Sequence, residues 1–344
     1  MTNVPRLTRL ARTGVAFLAT ARQGSALLVH VATGSLALLL VTAVLQWLDP
    51  RQLGGASVWL KPAKFAASVV VTAPLLAWAL AQLAPVTRAM RVAAALTSGA
   101  FVLELILIVL QAARGVPSHF NFETPFDARV FQAMAVAITV FWLAQGWLTW
   151  KAFRFPFAER ALGWGLRMGL LVSTLGAGLA FAMPSQVSAQ QAAALGAHQP
   201  TLIGGHTVGV ADGGPGLPVT RWSTEGGDLR VAHFLGLHAL QLLPLLGWMS
   251  ARRRPTGDRA NHQAGRRVAV LGLAYAGLVL TTFVQALRGR PLLAPDAVTG
   301  ALALGVLVLG ALGLAWARVA RPPAIKLSPG AERRSGQHAA TPLV

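Results

Sequence analysis

Runs of about 20 apolar residues alternate with short polar, basic or turn-rich stretches, and each run can cross a hydrocarbon core of about 30 Å as a helix. The pattern predicts an all-α integral membrane protein with eight transmembrane helices, at 25–48, 62–84, 92–113, 128–150, 161–183, 230–250, 267–287 and 298–317. Ahead of the first, residues 1–24 carry Arg6, Arg9, Arg12 and Arg22 around the short patch Val15 to Leu18, and read as a cytoplasmic basic amphipathic helix. Turn formers in DPRQLGGASVW close span one, and Lys61-Pro62 opens span two, where a first-turn proline is tolerated. The long loop 184–229 contains PSQVSAQQAAALG, a short helix expected to start at Ser185 and stop at Gly196. A segment of that length without a core of its own is expected to cover the outer face of the bundle. Residues 319–344 form a basic, proline-containing tail expected to be disordered.

Composition narrows the class. Across 344 residues the chain is 54% hydrophobic and only 12% charged, whereas soluble domains carry about a quarter charged residues. The net charge of +19 sits in short clusters between apolar runs, so it speaks for membrane topology and against nucleic acid. With both termini cytoplasmic, 20 of the 30 Lys and Arg fall in cytoplasmic segments and nine in outer loops, as the positive-inside rule requires. The bilayer is then the first partner, with a periplasmic or membrane protein as a further one. Absence of cysteine excludes disulfides, thiolate metal sites and covalent haem attachment. There is no Walker loop, dinucleotide fingerprint or GxSxG elbow.

The chain resembles itself. QAARGVP (Gln111 to Pro117) ends span three and QALRGRP (Gln285 to Pro291) ends span seven, while LKPAKFA from Leu60 aligns with LRVAHFL from Leu229. Both pairs run the same way across the membrane, which implies two parallel four-helix halves, 25–150 and 151–318, about a pseudo-twofold axis along the membrane normal. Lys61 then pairs with Arg230, Lys64 with His233, Gln111 with Gln285 and Arg114 with Arg288, all at outer helix ends.

Intramembrane ionisable groups are expensive and mark candidate sites. Glu104 lies about 15 Å deep and His238 about 12 Å deep at 1.5 Å per residue, so a Glu104–His238 contact is expected. His233 and His238 differ by about 140° around their helix, while Gln241 shares the face of His238. His119, in PSHFNFETPFD with Asn121, Glu123 and Asp127, is a further metal-ligand candidate, and Asp127 alone suits a helix cap. The expected pocket is Glu104, His119, His233, His238, Gln241, Gln111 and Gln285, walled by Lys64, Arg114 and Arg288, with His119, His233 and His238 as candidate metal ligands. Haem b wants histidines on two spans, and beyond these only His30 lies within one. His198 and His206 match no spacing and are expected to be solvated.

The strings WLKPAKF, RGVPSHFNFETPFD and GGDLRVAHFLGLHALQLLPLLGW resemble those of a group of bacterial multi-pass inner-membrane proteins, over spans two to six. That resemblance supports the inner-membrane setting and brings no activity, cofactor or catalytic residue. Haem A synthase is similar in having two four-helix halves, but it places histidines on four spans, where here Lys64 stands against His233 and spans four and eight have none. The expected function is a membrane enzyme or assembly factor binding a divalent metal or haem in a periplasm-facing pocket. The alternatives are a transporter using the same pocket for a small-molecule ligand and protons, and a scaffold for another membrane protein.

Overall fold

The computed structural model describes residues 4–199, 201–252 and 257–320, with side chains from 13 onward. The tail expected beyond 320, residues 253–256 of the basic link, and the side chains of Arg6, Arg9 and Arg12 therefore lie outside the described residues.

Among the described residues the chain is all-helical but for four two-residue strands, and eight helices are long and apolar enough to cross a membrane. These are α1 (Val4–Leu48), α2 (Leu60–Gln82), α3 (Arg88–Arg114), α4 (Pro125–Arg154), α5 (Arg160–Leu179, prolonged by a 3₁₀ turn Ala180–Ala182), α7 (Leu229–Arg252), α8 (Asp258–Leu287) and α9 (Ala297–Val319). The short α6 (Ala189–Gly196) lies in the long loop. α1 is two helices joined at Ser25, whose φ of −161° and ψ of 106° leave the helical region. The Ser25 hydroxyl accepts the Leu28 amide at 3.3 Å, so the second stretch has an N-cap of its own.

α1 packs on α2 and α3, and α3 on α4; α5 packs on α7 and α8, and α8 on α9. The two groups meet where α4 lies along α5 and α2 touches α7. In hydrocarbon no hydrophobic force drives helices together, so close approach through small residues carries the packing. α5 presents Gly165, Gly169 and Gly176 to α7. A Cβ at Gly176 would stand 2.6 Å from the Gly236 Cα, and one at Gly165 2.6 Å from the Leu243 carbonyl oxygen. Gly169 makes room for the Pro244 ring, which interrupts α7 as Pro74 interrupts α2. Outward-facing leucines such as Leu304, Leu309 and Leu312 are more than half exposed along α9, as a lipid-solvated helix requires.

Two corners at the same end of the bundle share one construction. At the end of α3, Gly115 takes a left-handed φ of 75° and the Gln111 side chain donates to the Pro117 carbonyl. At the end of α8, Gly289 takes a φ of 68° and Gln285 donates to the Pro291 carbonyl at 2.6 Å. The arginine three residues after each glutamine pairs with an aspartate at the start of the next helix, Arg114 with Asp127 and Arg288 with Asp296. Glycine is needed at both corners because a Cβ disfavours positive φ.

Residues 183–228 close over this end, which we call the loop end. Ser188, three residues after the expected Ser185, caps α6 because only the Ser188–Gln191 spacing completes a reciprocal capping box. The strand β3 (Thr207–Val208) pairs antiparallel with β4 (Gly227–Asp228), which leads straight into α7. A short hairpin of β1 (Gln52–Leu53) and β2 (Ala56–Ser57) links α1 to α2. The cover is tied down by the Phe122 amide on the Thr201 carbonyl, by the Ile203 amide on the Phe120 carbonyl, and by a bridge between Asn121 and Leu202.

Candidate functional site

The corner between α3 and α4 folds inward. Asn121, fully buried, donates from its side-chain amide to the Pro117 carbonyl and accepts the Glu123 amide, which tightens residues 117–123 into a compact loop. Phe120 takes a φ of 61° and is buried, and this sends the neighbouring His119 down between α2 and α3. The rings of Phe65, Phe120 and Phe131 surround the imidazole at centroid distances of 6.0 to 6.1 Å.

His119 bridges two charged residues. Its Nε2 lies 3.3 Å from Glu104 Oε1, and its Nδ1 lies 3.1 Å from both Lys61 Nζ and Ser118 Oγ. A charged lysine only donates, so Nδ1 accepts from Lys61 and the ring proton sits on Nε2, pointed at Glu104. Burial holds the His119 pKa well below its ordinary value, and the charges of Lys61, His206 and His233 push in the same direction. The other oxygen of Glu104, Oε2, is buried and has no hydrogen-bond partner. In a low-dielectric site a bare carboxylate oxygen is a strong acceptor awaiting a donor.

Two further histidines stand near enough to act electrostatically on His119. His206, in the cover, gives Nδ1 to Asp212 at 2.8 Å and packs its ring edge-on to Phe120. Asp212 also accepts the amides of His206 and Thr207 and the Thr207 hydroxyl. Burial would raise the Asp212 pKa, but these hydrogen bonds and the His206 charge outweigh it and hold the carboxyl below the usual range. His233, on α7, gives Nδ1 to the Gly176 carbonyl at 2.8 Å. The glycine contact between α5 and α7 brings that carbonyl within reach. Both histidines thus have Nδ1 committed and Nε2 free of any described partner.

The expected Glu104–His238 contact is not formed. Glu104 meets His119 instead, because the loop brings His119 inward while α7 turns His238 to an exposed face with Leu242, Leu245 and Met249. The Gln241 side-chain amide reaches α2, 3.3 Å from the Thr72 hydroxyl, and its oxygen accepts there while its nitrogen donates to the Leu237 and His238 carbonyls at 3.1 Å. Gln111 and Arg114 both serve Asp127, and Gln285 and Arg288 hold the corresponding corner. These four are clamps on loops rather than walls of the cluster. Asp127 is not the cap of α4. Thr124 is, accepting the Asp127 amide at 3.1 Å. Lys64 does face the cluster's side of the bundle, donating to the Thr220 carbonyl of the cover at 3.5 Å. His119, His233 and His238 do not come together, and among the described residues no three His, Cys, Asp or Glu side chains form a group that could hold a metal ion. His30 lines a groove of about 780 Å³ between α1 and α3, shared with none of the cluster residues.

Sequence reasoning did not select Lys61, His206, Asp212, Thr220 or Arg221. Lys61 carried a signal, as a lysine in the first turn of an apolar helix. The others sit in a loop whose path no periodicity encodes. Comparison with protein-family models, curated proteins and solved structures finds no match, so the site rests on its own chemistry.

Proposed function

We propose that this is a bacterial inner-membrane protein that performs acid–base chemistry on a small polar substrate at a covered, periplasm-facing site. Glu104 is the base, His119 holds it in position, and Lys61 fixes the His119 tautomer. The observation that carries the reading is the Lys61–His119–Glu104 chain, which ends in a buried carboxylate oxygen with no partner. A base needs a free oxygen within reach of the proton it removes, and a surround that excludes water. The three phenylalanines and the cover supply that surround. The distribution of Lys and Arg supports cytoplasmic termini, and hence a periplasmic loop end.

Two parallel four-helix halves belong to the same proposal. The reading is supported by the shared build of the Gln111–Pro117 and Gln285–Pro291 corners and by the matching neighbour order of α1–α4 and α5, α7, α8, α9. Lys64 and His233 then occupy equivalent places near the axis. A permease would need polar groups running on towards the cytoplasm. Beyond the Thr72–Gln241 contact, the facing stretches Ala73–Ala81 and Leu242–Met249 are apolar, which favours a site open on one side.

A second reading has a specific observation behind it. His206 and His233 each have Nδ1 tied to an oxygen, the arrangement that orients Nε2 toward a metal or haem iron. Visible spectra and metal analysis of the purified protein decide this reading. The acid–base reading is tested in a strain lacking the gene, by profiling envelope metabolites and lipids. The wild-type gene should restore the profile, and Glu104→Gln and His119→Gln should not, although both accumulate in the membrane. Restoration by both variants would overturn the assignment.

A further inference from the structure

We propose that the substrate of this site carries an oxyanion, a phosphate or carboxylate group, held between Lys64 of α2 and Thr220 and Arg221 of the cover. The inference names the substrate class of the acid–base site and rests on that reading. Four cations converge at the loop end. Lys61 and Lys64 lie in the first turns of α2, Arg230 opens α7, and Arg221, exposed on the cover, lies beside Gly55 of the α1–α2 hairpin. Arg230 and Arg221 are both close enough to Lys64 for their charges to act on it. Anions do not match them in number. Asp228 is consumed by Arg230, through contacts of 2.7 and 3.0 Å, and by the Ser223 amide. Glu104 is committed to His119 and faces Lys61.

Lys64 and Arg221 are left over. Among the described residues neither makes an ion pair, and the one hydrogen bond from the Lys64 ammonium is the 3.5 Å approach to the Thr220 carbonyl. The Thr220 hydroxyl is buried without a partner. The buried Thr220 hydroxyl without a partner is unfavourable as it stands, and an oxyanion bound there would satisfy it while pairing with both cations. The backbone is consistent with a built feature. Val219 and Arg221 both take left-handed φ, 64° and 59°, on either side of Thr220. The Arg221 amide on the Leu217 carbonyl, 2.9 Å, closes this turn and leaves the Thr220 carbonyl facing Lys64. The first turn of α2, which has no side-chain cap, adds partial positive charge toward the same region.

The test uses the full-length protein in a zwitterionic detergent, with inorganic phosphate as probe in calorimetric and thermal-shift titrations. A parallel arm compares phosphatidylcholine nanodiscs with and without phosphatidylglycerol, read by native mass spectrometry. Phosphate binding identifies a free anion, and retention of phosphatidylglycerol alone identifies a lipid headgroup; either supports the inference. Lys64→Gln and Arg221→Gln should each weaken binding about tenfold, as loss of one charge-assisted hydrogen bond does. Lys64→Arg should retain it, which separates lost charge from lost fold, and Arg290→Gln at the other corner should leave it unchanged. Glu104→Gln should bind the anion as well as wild type, so failure of the acid–base reading and failure of this one are told apart. Absence of binding to both probes, or binding that survives both glutamine variants, would overturn it.

Discussion

Replacing Gly176 by alanine tests whether the α5–α7 glycine contact holds the second half together and orients His233. The added Cβ would lie 2.6 Å from the Gly236 Cα, against about 3.5 Å for a relaxed carbon–carbon contact, so the helices must part by about 1 Å. Neither atom belongs to a flexible side chain, and nothing can rotate away. Overpacking of this kind costs about 1–3 kcal/mol. The His233–Gly176 hydrogen bond, lost or lengthened with the shift, adds about 0.6 kcal/mol by the average for membrane helices. The expected loss is therefore about 2–4 kcal/mol, read by SDS-titration unfolding in mixed micelles. Gly99→Ala is the control, because a Cβ there meets nothing within 4 Å. In a helix that change should be neutral or stabilising by up to about 1 kcal/mol. Equal midpoints for the two variants would refute the claim that backbone approach at Gly176 carries the packing.

His119 should stay neutral as pH falls through 6.5, where a free histidine charges, and ¹⁵N spectra of histidine-labelled protein should show this. Because its folded pKa lies below the unfolded one, its contribution to stability is present above about pH 6.5 and is lost as pH falls towards the folded value. Lys61→Met should raise the His119 pKa by removing the neighbouring cation, and a wild-type His119 titrating near 6.5 would contradict the burial. Asp212, also depressed, has the opposite ionic form but the same sign: its support of the cover is present above about pH 3.9 and is lost on further acidification. Asp212→Asn should speed amide exchange at His206 and Thr207 about tenfold at neutral pH, as loss of a charged acceptor does, and unchanged protection would show that Asp212 does not hold the loop.

The eight helices were legible because a bilayer imposes one requirement, about 20 apolar residues, that any run meets or fails. The Gln-Arg-Gly corners were legible as a repeated string, though not what they do. Gln111 and Arg114 look like pocket residues on a helical wheel, yet Asp127, thirteen residues on from Arg114, claims them both. Depth along a helix also misled. Glu104 and His238 share a depth, but His119 comes from a loop that has no depth until it folds. His206 looked solvated for the same reason, since its partner Asp212 and its ring contact with Phe120 arise from the path of the cover.

The arrangement of the cluster follows from how the halves divide their labour. α2 and α3 supply Lys61 and Glu104 from within the first half. The link between them is not a helical residue but His119, brought in by a loop that must first be held by Asn121, Phe120 and the strand-like pairing with residues 201–203. The same cover that orders this loop also carries Thr220, Arg221 and His206. Ordering the relay and closing the site are therefore one event. A displaced cover would loosen His119, and with it the Glu104 contact, at the same time. Among its described residues the cover has one short β pair, β3 with β4, and the two turns of α6 as regular structure, and it is held in place chiefly by its contacts with the 117–123 loop.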